Sequence, residues 1–245
     1  MTKTSLCLDD VLENTPQTRC LLKLFEHDAE KLQNYMGRVR EALSRLLTAQ
    51  TEMALSLQQL GTILGDYKDQ NFPLDHGQTE FPGVVDKFHR SVLELGSCMD
   101  IVGQQLQNCV VYPVDKFIKE LDEAANRKEL YHTFADDLSK ATEKYAKLHR
   151  KEQPKKLEET AEELCNARKR FHQNGLRYYV QLNNLQYSRR IFLLEPVLSL
   201  LYAYRSLFHM GHQALSQQAE LTDFFTRTQE QVQRCVCLSV TGLLQ

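Results

Sequence analysis

The side chains whose type and spacing best suit binding chemistry are basic residues concentrated near the middle of the chain. Seven lie within seventeen residues: Lys140, Lys144, Lys147, Arg150, Lys151, Lys155 and Lys156. Only Glu143 and Glu152 are acidic in that segment, and a second basic group follows at Arg168, Lys169 and Arg170. Each Lys or Arg beside an anionic lipid surface contributes on the order of 1 kcal/mol. These residues therefore predict either membrane contacts or, as the simpler alternative, a solvated helix face.

Candidates for catalysis or metal binding are few. His209 and His212 could share a helix face, but no acid or cysteine nearby completes a metal set. Cys235 and Cys237 have the wrong spacing for a CxxC motif, and neither a phosphate-binding glycine loop nor a GxSxG motif occurs. We therefore expect no enzymatic activity and no cofactor.

Composition narrows the class of protein. The formal net charge of −2 gives no general basicity that would attract nucleic acid. The first ten residues lack the apolar core of a signal peptide, and no continuous apolar run reaches the roughly 18 residues of a membrane-crossing helix. The seven cysteines are scattered and odd in number, which is typical of reduced thiols in a cytoplasmic protein.

Hydrophobic periodicity predicts long helices that would position the basic residues. Between Phe25 and Tyr67, apolar residues recur at alternating steps of four and three, which is the coiled-coil period, and Gln50 is the one polar exception. Thr15 is predicted as the N-cap of this helix, with Pro16 at its first position. Gln50 is expected to face another helix or a dimer seam. The predicted segments are an N-terminal arm at 1–14, a four-helix domain at 15–236 with helices at about 16–71, 79–149, 155–208 and 212–236, and a tail at 237–245.

Two prolines fall inside the helical patterns. Pro113 lies about 40 residues before the turn that joins the second and third helices, and Pro196 lies about 42 after it. In an antiparallel hairpin both prolines would lie at nearly the same level, and because proline kinks a continuing helix, the hairpin would bend there. The alternative is that Pro196 ends the third helix. A turn near residues 209–211 is predicted to lead into the fourth.

The fold class expected is all-α: an elongated, curved, antiparallel helical bundle that dimerises. Surplus apolar side chains are expected at a two-fold interface or in the core: Leu43, Leu46, Phe81, Phe88, Leu201 and Phe225. The arm could insert into a membrane or pack against the dimer body. Its acidic residues favour packing, because inserting helices usually carry a basic polar face. The basic segment would lie at the distal tip of a bent dimer, which favours the membrane interpretation.

Several motifs resemble the BAR domain of the APPL-type endosomal adaptor proteins, over about residues 8–235. They are LENTPQTR at 12–19, Leu21-Leu22, Phe25-Glu26, NYM at 34–36, NFPL at 71–74, LNNLQY at 182–187 and LEPVL at 194–198. Neighbouring BAR-PH proteins of the ACAP and oligophrenin types are similar more loosely. The family's PH and PTB domains have no counterpart in these 245 residues.

The resemblance implies a banana-shaped dimer whose tips and concave face bind curved anionic membranes. It implies endosomal or plasma-membrane localisation, pairing with itself or with a related BAR protein, and contact with an early-endosomal Rab GTPase. The tip role then falls to residues 140–156, with residues 168–170 as a concave-face candidate. The sequence thus predicts a curvature-sensing or curvature-generating adaptor scaffold. The alternative is a coiled-coil interaction module, binding a Rab GTPase or a partner adaptor without lipid contact.

Overall fold

The structure is a computed structural model that describes residues 5–7, 9, 15–70, 72, 81–148, 153–216 and 219–242. The elements of these ranges are all helical. They are α1 (Pro16–Gly65), a 3₁₀ turn (Asp66–Gln70), α2 (Phe81–Leu106), a π-helical turn (Gln107–Val111), α3 (Tyr112–Ala146), α4 (Pro154–Ser216) and α5 (Ala219–Gly242).

The start of α1 follows from its capping residue. The backbone N–H of Thr18 donates to Thr15 Oγ1 at 3.2 Å, which satisfies one of the free donors of the first turn. Pro16 is the first helical residue, where its missing N–H costs nothing. The predicted cap is confirmed.

The described residues divide into two compact units. The first takes the residues up to Leu43 and those from Val111 to Val197, and the second takes Ser44–Val110 and the residues from Leu198 onward. The long helices α1 and α4 contribute to both units, and each unit is described separately below.

The core of the first unit is built by α1, α3 and α4. Two buried clusters share this construction. One contains Leu6, Leu22, Phe25, Tyr131, Phe171, Tyr178, Tyr179 and Leu182, and the other contains Leu32, Met36, Val114, Phe117, Leu121, Ala124 and Leu185. Burying each large side chain contributes roughly 1.5–3 kcal/mol, so these amphipathic stripes are the main attraction between the three helices.

The two internal prolines lie at corresponding levels of the first unit. Phe117, four residues after Pro113, stacks on Phe192, four residues before Pro196, with ring centroids 4.5 Å apart. The helix α4 continues through Pro196, which is buried, so this proline does not end the third helix. A π-helical turn ends at Val111, two residues before Pro113. The missing proline N–H leaves the carbonyl of Cys109, within that turn, without its usual partner. The bend predicted at the two prolines stays a prediction.

In the second unit, α1 and α2 approach closely. Gln50 is buried and donates from Nε2 to the carbonyl oxygen of Met99 at 3.0 Å, so it faces another helix. A Cβ placed on Gly61 would come within 2.6 Å of Leu93 Cδ2, and the ring Nδ1 of His89 lies 2.6 Å from the Gly61 carbonyl oxygen. Glycine at this position therefore permits the helix contact.

The turn predicted at residues 209–211 is wrong, as are the helix end predicted at 208 and the start at 212. The helix α4 runs through this segment to Ser216, and α5 begins at Ala219. Gly211 is buried inside α4, and a Cβ there would lie 4.0 Å from Leu95 Cδ1 on α2. The glycine therefore lies inside a helix and does not end it, and a single sequence does not distinguish these two positions.

By length and composition alone, one stretch of α4, within Pro154–Leu215, is apolar enough to cross a membrane. The expectation of no such helix was based on the lack of a continuous apolar run, so it is not supported by this measure. One helix of this kind is weak evidence for a span, because helices of soluble proteins meet the same criterion. The stretch is largely unburied within the chain, so it offers apolar surface to a partner.

Candidate membrane-binding surface

Three of the predicted basic residues come together between α3 and α4. Lys140 and Lys144 of α3 and Arg170 of α4 line one groove of about 600 Å³. Four acidic side chains line the same groove: Asp137, Glu159, Glu162 and Glu163. Three positive charges against four negative ones leave this groove mildly acidic, which the count of residues 140–156 alone does not reveal.

Two of the predicted lysines are engaged in ion pairs. Lys144 Nζ lies 2.5 Å from Glu163 Oε2, and Lys147 Nζ lies 2.8 Å from Glu143 Oε1. All four side chains are more than half exposed. Exposed pairs of this kind contribute about 0.2–1 kcal/mol, so a lipid phosphate could replace the carboxylate at little cost.

The remaining predicted residues are exposed but not all adjacent. Within the described ranges, Lys140, Lys155, Arg168, Lys169 and Arg170 form no ion pair. Arg168 and Lys169 do not line the groove that contains Arg170. Lys156 is exposed in the first turn of α4, and its backbone N–H donates to the Gln153 carbonyl oxygen. Arg150 and Lys151 lie outside the described residues.

A second groove of about 520 Å³ lies between the same two helices and contains a basic residue that the sequence reasoning missed. Arg127 of α3 and Arg177 of α4 line it, with Glu123 as its one acidic lining residue. Neither arginine has an ion-pair partner among the described residues. Two positive charges against one negative leave this groove basic.

A sequence signal for the α3 side of this surface exists. Asn126 of the second groove and Lys140 of the first are separated by two heptads, and so are Leu130 and Lys144. Extending the heptad register of the lysines toward the N-terminus of α3 reaches Asn126 and Leu130, which line the second groove beside Arg127, but it does not reach Arg127 itself.

A buried polar network holds α1, α3 and α4 together in the first unit. The Tyr178 hydroxyl of α4 donates to Glu26 Oε1 of α1 at 3.1 Å, and Glu26 is 7% exposed. From α3, Lys128 Nζ lies 3.6 Å from Glu26 Oε2, and His132 Nε2 lies 3.4 Å from Glu26 Oε1. Burial raises the pKa of the Tyr178 phenol well above its usual range, so it stays a hydrogen-bond donor.

The other polar feature of this network is an exposed ion pair. Lys128 Nζ lies 2.7 Å from Glu30 Oε1. The hydrogen bond between Lys128 and Glu30 lowers the pKa of the Glu30 carboxyl and raises the pKa of the Lys128 ammonium. Within the described ranges, no three His, Cys, Asp or Glu side chains come together as a metal set. The arrangement fits a structural role.

Side chains predicted for the core or a dimer contact divide by exposure. Leu43, Leu46 and Phe81 are half-buried, whereas Phe88, Leu201 and Phe225 are 41%, 61% and 64% exposed. In the second unit the exposed group also includes Ile63 of α1 and Phe208 of α4. The dimer contact predicted for these side chains stays a prediction.

The geometry agrees with what comparisons with known proteins find. A profile of the BAR domain of the APPL family matches residues 6–239. This chain belongs to that family. Human DCC-interacting protein 13-alpha is 33% identical over 217 residues, covering 88% of this chain and 31% of the relative, and human DCC-interacting protein 13-beta is 32% identical over 217 residues, covering 88% and 33%. The chain thus spans about a third of the length of the curated relatives it matches.

Two further matches are more distant. The rat Arf-GAP with coiled-coil, ANK repeat and PH domain-containing protein 2 is 26% identical over 219 residues, covering 88% of this chain and 27% of the relative. The solved amphiphysin BAR domain from Drosophila superposes with a TM-score of 0.67 at 14% identity, covering 94% of this chain and 98% of that one. The BAR domain predicted from the sequence motifs is confirmed, and so is the all-α fold class. Family membership supports a membrane-curvature adaptor scaffold and does not favour an interaction module without lipid contact.

Proposed function

We propose that this chain is the scaffold by which an adaptor protein binds curved anionic membranes, and that the basic side chains of the α3–α4 surface supply the contacts. The observation that carries the proposal is the match of residues 6–239 to the BAR domain of the APPL family. The exposed basic side chains between α3 and α4 give that family assignment a chemical basis on this chain.

The two grooves contribute differently to the proposed contact. The arginines of the second groove, Arg127 and Arg177, have no ion-pair partner in the part of the chain that the structure describes, so no carboxylate there must be displaced before they meet a phosphate. Lys144 must first exchange its carboxylate partner. We therefore assign the stronger lipid contact to the arginine pair and a weaker, salt-sensitive one to Lys140 and Lys144. Such contacts are screened within a Debye length of about 10 Å at 0.1 M salt.

The working assembly is proposed to be a dimer, with a second copy or a related BAR protein covering the exposed apolar side chains of the second unit. Leu201, Phe208 and Phe225 are each more than 60% exposed, and apolar residues in such number are rarely left in water. A two-fold pair doubles the number of membrane contacts, so individually weak contacts add. Cytoplasmic localisation at endosomal or plasma membranes, and contact with an early-endosomal Rab GTPase, belong to the same proposal.

Co-sedimentation with anionic liposomes of several diameters, at low and at physiological salt, tests the proposal. Arg127→Glu/Arg177→Glu should weaken binding at least about tenfold, because each lost cation removes on the order of 1 kcal/mol and each added carboxylate repels the surface. Lys140→Glu/Lys144→Glu should weaken it less. Lys31→Glu/Arg38→Glu, an equal charge change at exposed positions of α1, is the matched control.

Dimerisation of each variant is checked by analytical ultracentrifugation, so that a loss of assembly is not read as a loss of lipid contact. Binding that depends on salt and diameter, and that the arginine pair controls, supports the scaffold. If the folded dimer binds no anionic liposome at either salt, the proposal is rejected in favour of a protein-interaction module.

A further inference from the structure

The N-terminal segment occupies a site on the first unit through a specific set of contacts. Leu6 is 3% exposed, and it belongs to the buried cluster formed by α1 and α4 side chains that include Leu22, Phe25, Tyr179 and Leu182. Residue 6 lies outside any helix. A residue outside any helix therefore places its leucine side chain into an apolar site that α1, α3 and α4 form.

One side chain binds both backbone groups of Leu6. The Leu6 N–H donates to Asn183 Oδ1 at 2.8 Å, and Asn183 Nδ2 donates to the Leu6 carbonyl oxygen at 2.9 Å. An asparagine amide offers one acceptor and two donors, so this pairing satisfies both groups of one extended residue at once. The neighbouring Asn184 is exposed and takes no part.

This combination has the chemistry of peptide recognition. Extended peptides are held by hydrogen bonds to their main chain, which every sequence offers, and by pockets that select particular side chains. Here Asn183 provides the main-chain contacts and the cluster around Tyr179 provides a pocket for leucine. None of these contacts depends on Leu6 being joined to the rest of the same chain.

We propose that the Leu6 site is a binding site for a short, extended, leucine-bearing segment of a partner protein, and that residues 5–7 occupy it as a competing ligand. Among residues 5–7 and 9, the contacts that hold the segment to the first unit are the buried Leu6 side chain and its two hydrogen bonds to Asn183, and we expect their local release to need far less free energy than global unfolding. An open state that lies a few kcal/mol above the closed state in free energy is populated at roughly 0.1–10%. For a peptide added from outside, the apparent dissociation constant is then the intrinsic constant divided by the open fraction, so binding is weaker.

The experiment compares peptide binding to two versions of the full chain: the wild type, whose own segment can dock, and a variant whose segment cannot. The probe is a fluorescein-labelled peptide with the sequence of residues 2–10, with Cys7 replaced by serine to prevent oxidation, and binding is followed by fluorescence anisotropy. The chain carrying Leu6→Asp should bind the peptide, because a charged residue cannot enter the apolar site. The wild-type chain should bind at least tenfold more weakly because its own segment competes.

Matched variants assign the contact to Asn183. In the Leu6→Asp background, Asn183→Ala should weaken peptide binding about tenfold, as expected for two lost hydrogen bonds, and Asn184→Ala should leave it unchanged. A peptide carrying Leu6→Asp should not bind. Circular dichroism and urea unfolding establish that each chain is folded, and Leu6→Gly replaces Leu6→Asp if the latter is not.

Failure of the Leu6→Asp chain to bind at about 1 mM peptide would overturn the proposal, as would equal binding to the wild-type chain or indifference to Asn183→Ala. Amide hydrogen exchange provides a readout that needs no peptide. The Leu6 N–H should be protected in the wild type and exchange about tenfold faster in Asn183→Ala, and equal exchange in the two chains would also reject it. Neither readout involves a membrane, so the outcome is independent of the proposed scaffold function.

Discussion

The buried hydrogen bond between Tyr178 and Glu26 offers a sharp test of how the first unit is held together. Tyr178→Phe removes the hydroxyl and keeps the ring, whose centroid lies 5.4 Å from that of Tyr131. The aromatic packing is therefore retained, and the substitution isolates the 3.1 Å hydrogen bond to the Glu26 carboxylate.

The expected loss follows from the charge and burial of the acceptor. Hydrogen bonds to charged groups contribute about 1.5–3 kcal/mol. The side chain of Glu26 is 8% exposed, so water cannot readily replace the missing donor. The other groups near it, Lys128 Nζ at 3.6 Å and His132 Nε2 at 3.4 Å, are too distant to restore a full hydrogen bond. We expect Tyr178→Phe to lower the free energy of unfolding by about 1.5–3 kcal/mol.

Urea-induced unfolding followed by far-UV circular dichroism measures this change. Tyr187→Phe, at a residue of α4 that is 68% exposed, is the matched control and should change the free energy by less than about 0.5 kcal/mol. An equally small change for Tyr178→Phe would show that the Glu26 carboxylate is solvated or otherwise paired, and the argument from burial would fail.

Alkaline pH provides a second readout of the same pair. Burial raises the pKa of the Tyr178 phenol above its usual value of about 10, so the unfolded chain loses this proton at a lower pH than the folded chain. The stabilisation is fully present below pH 10 and declines as the pH rises above it, because the unfolded state then binds fewer protons. The wild type should therefore lose more stability than Tyr178→Phe above pH 10. Parallel declines would contradict the assignment.

Two further predictions concern the packing of glycines in α1 and thiol reactivity. Gly37→Ala, where no atom lies within 4 Å of the added Cβ, should stabilise α1 by up to about 1 kcal/mol. Gly61→Ala should gain less or lose stability, because its Cβ would meet Leu93 at 2.6 Å. Urea unfolding compares the two variants, and equal gains in the free energy of unfolding would contradict the close contact. Burial raises the pKa of the Cys98 thiol, so mass spectrometry after brief alkylation should find Cys98 less modified than the exposed Cys165, and the reverse order would contradict its burial.

The helices could be predicted from sequence because their determinants are local. A 3.5-residue apolar period, the Thr15 cap and the position of Pro16 specify α1 without knowledge of its neighbours. The two prolines could be placed at similar heights by counting residues from the turn. The stacking of Phe117 on Phe192 could not be predicted, because it depends on which side chains face each other across the antiparallel pair. Gly211 was misread because a glycine inside a helix has the same local sequence signature as one that ends a helix.

The candidate surface was harder to predict than the helices that carry it. Basic residues can be counted in a sequence, but their net effect depends on the acids that adjacent turns and the opposite helix bring beside them. Glu159 and Glu163 follow the counted segment and yet line the groove of Lys140 and Lys144. Arg127 was missed because Lys128 is its only basic neighbour in the sequence and both precede the counted segment that begins at Lys140. A contact map of the two helices supplies what the count lacks.

The mixed charge of this surface bears on how a scaffold could select curvature. A strongly basic tip would hold any anionic membrane through a few contacts, whatever its shape. Lysines that share a groove with carboxylates, as Lys140 and Lys144 do, bind weakly one by one. Weak contacts give useful affinity only when many form together, and that number depends on how closely the membrane follows the protein surface. The acidic residues beside the lysines would thus make membrane affinity depend on membrane shape. Glu159→Gln/Glu162→Gln should therefore raise liposome binding and make it less dependent on liposome diameter.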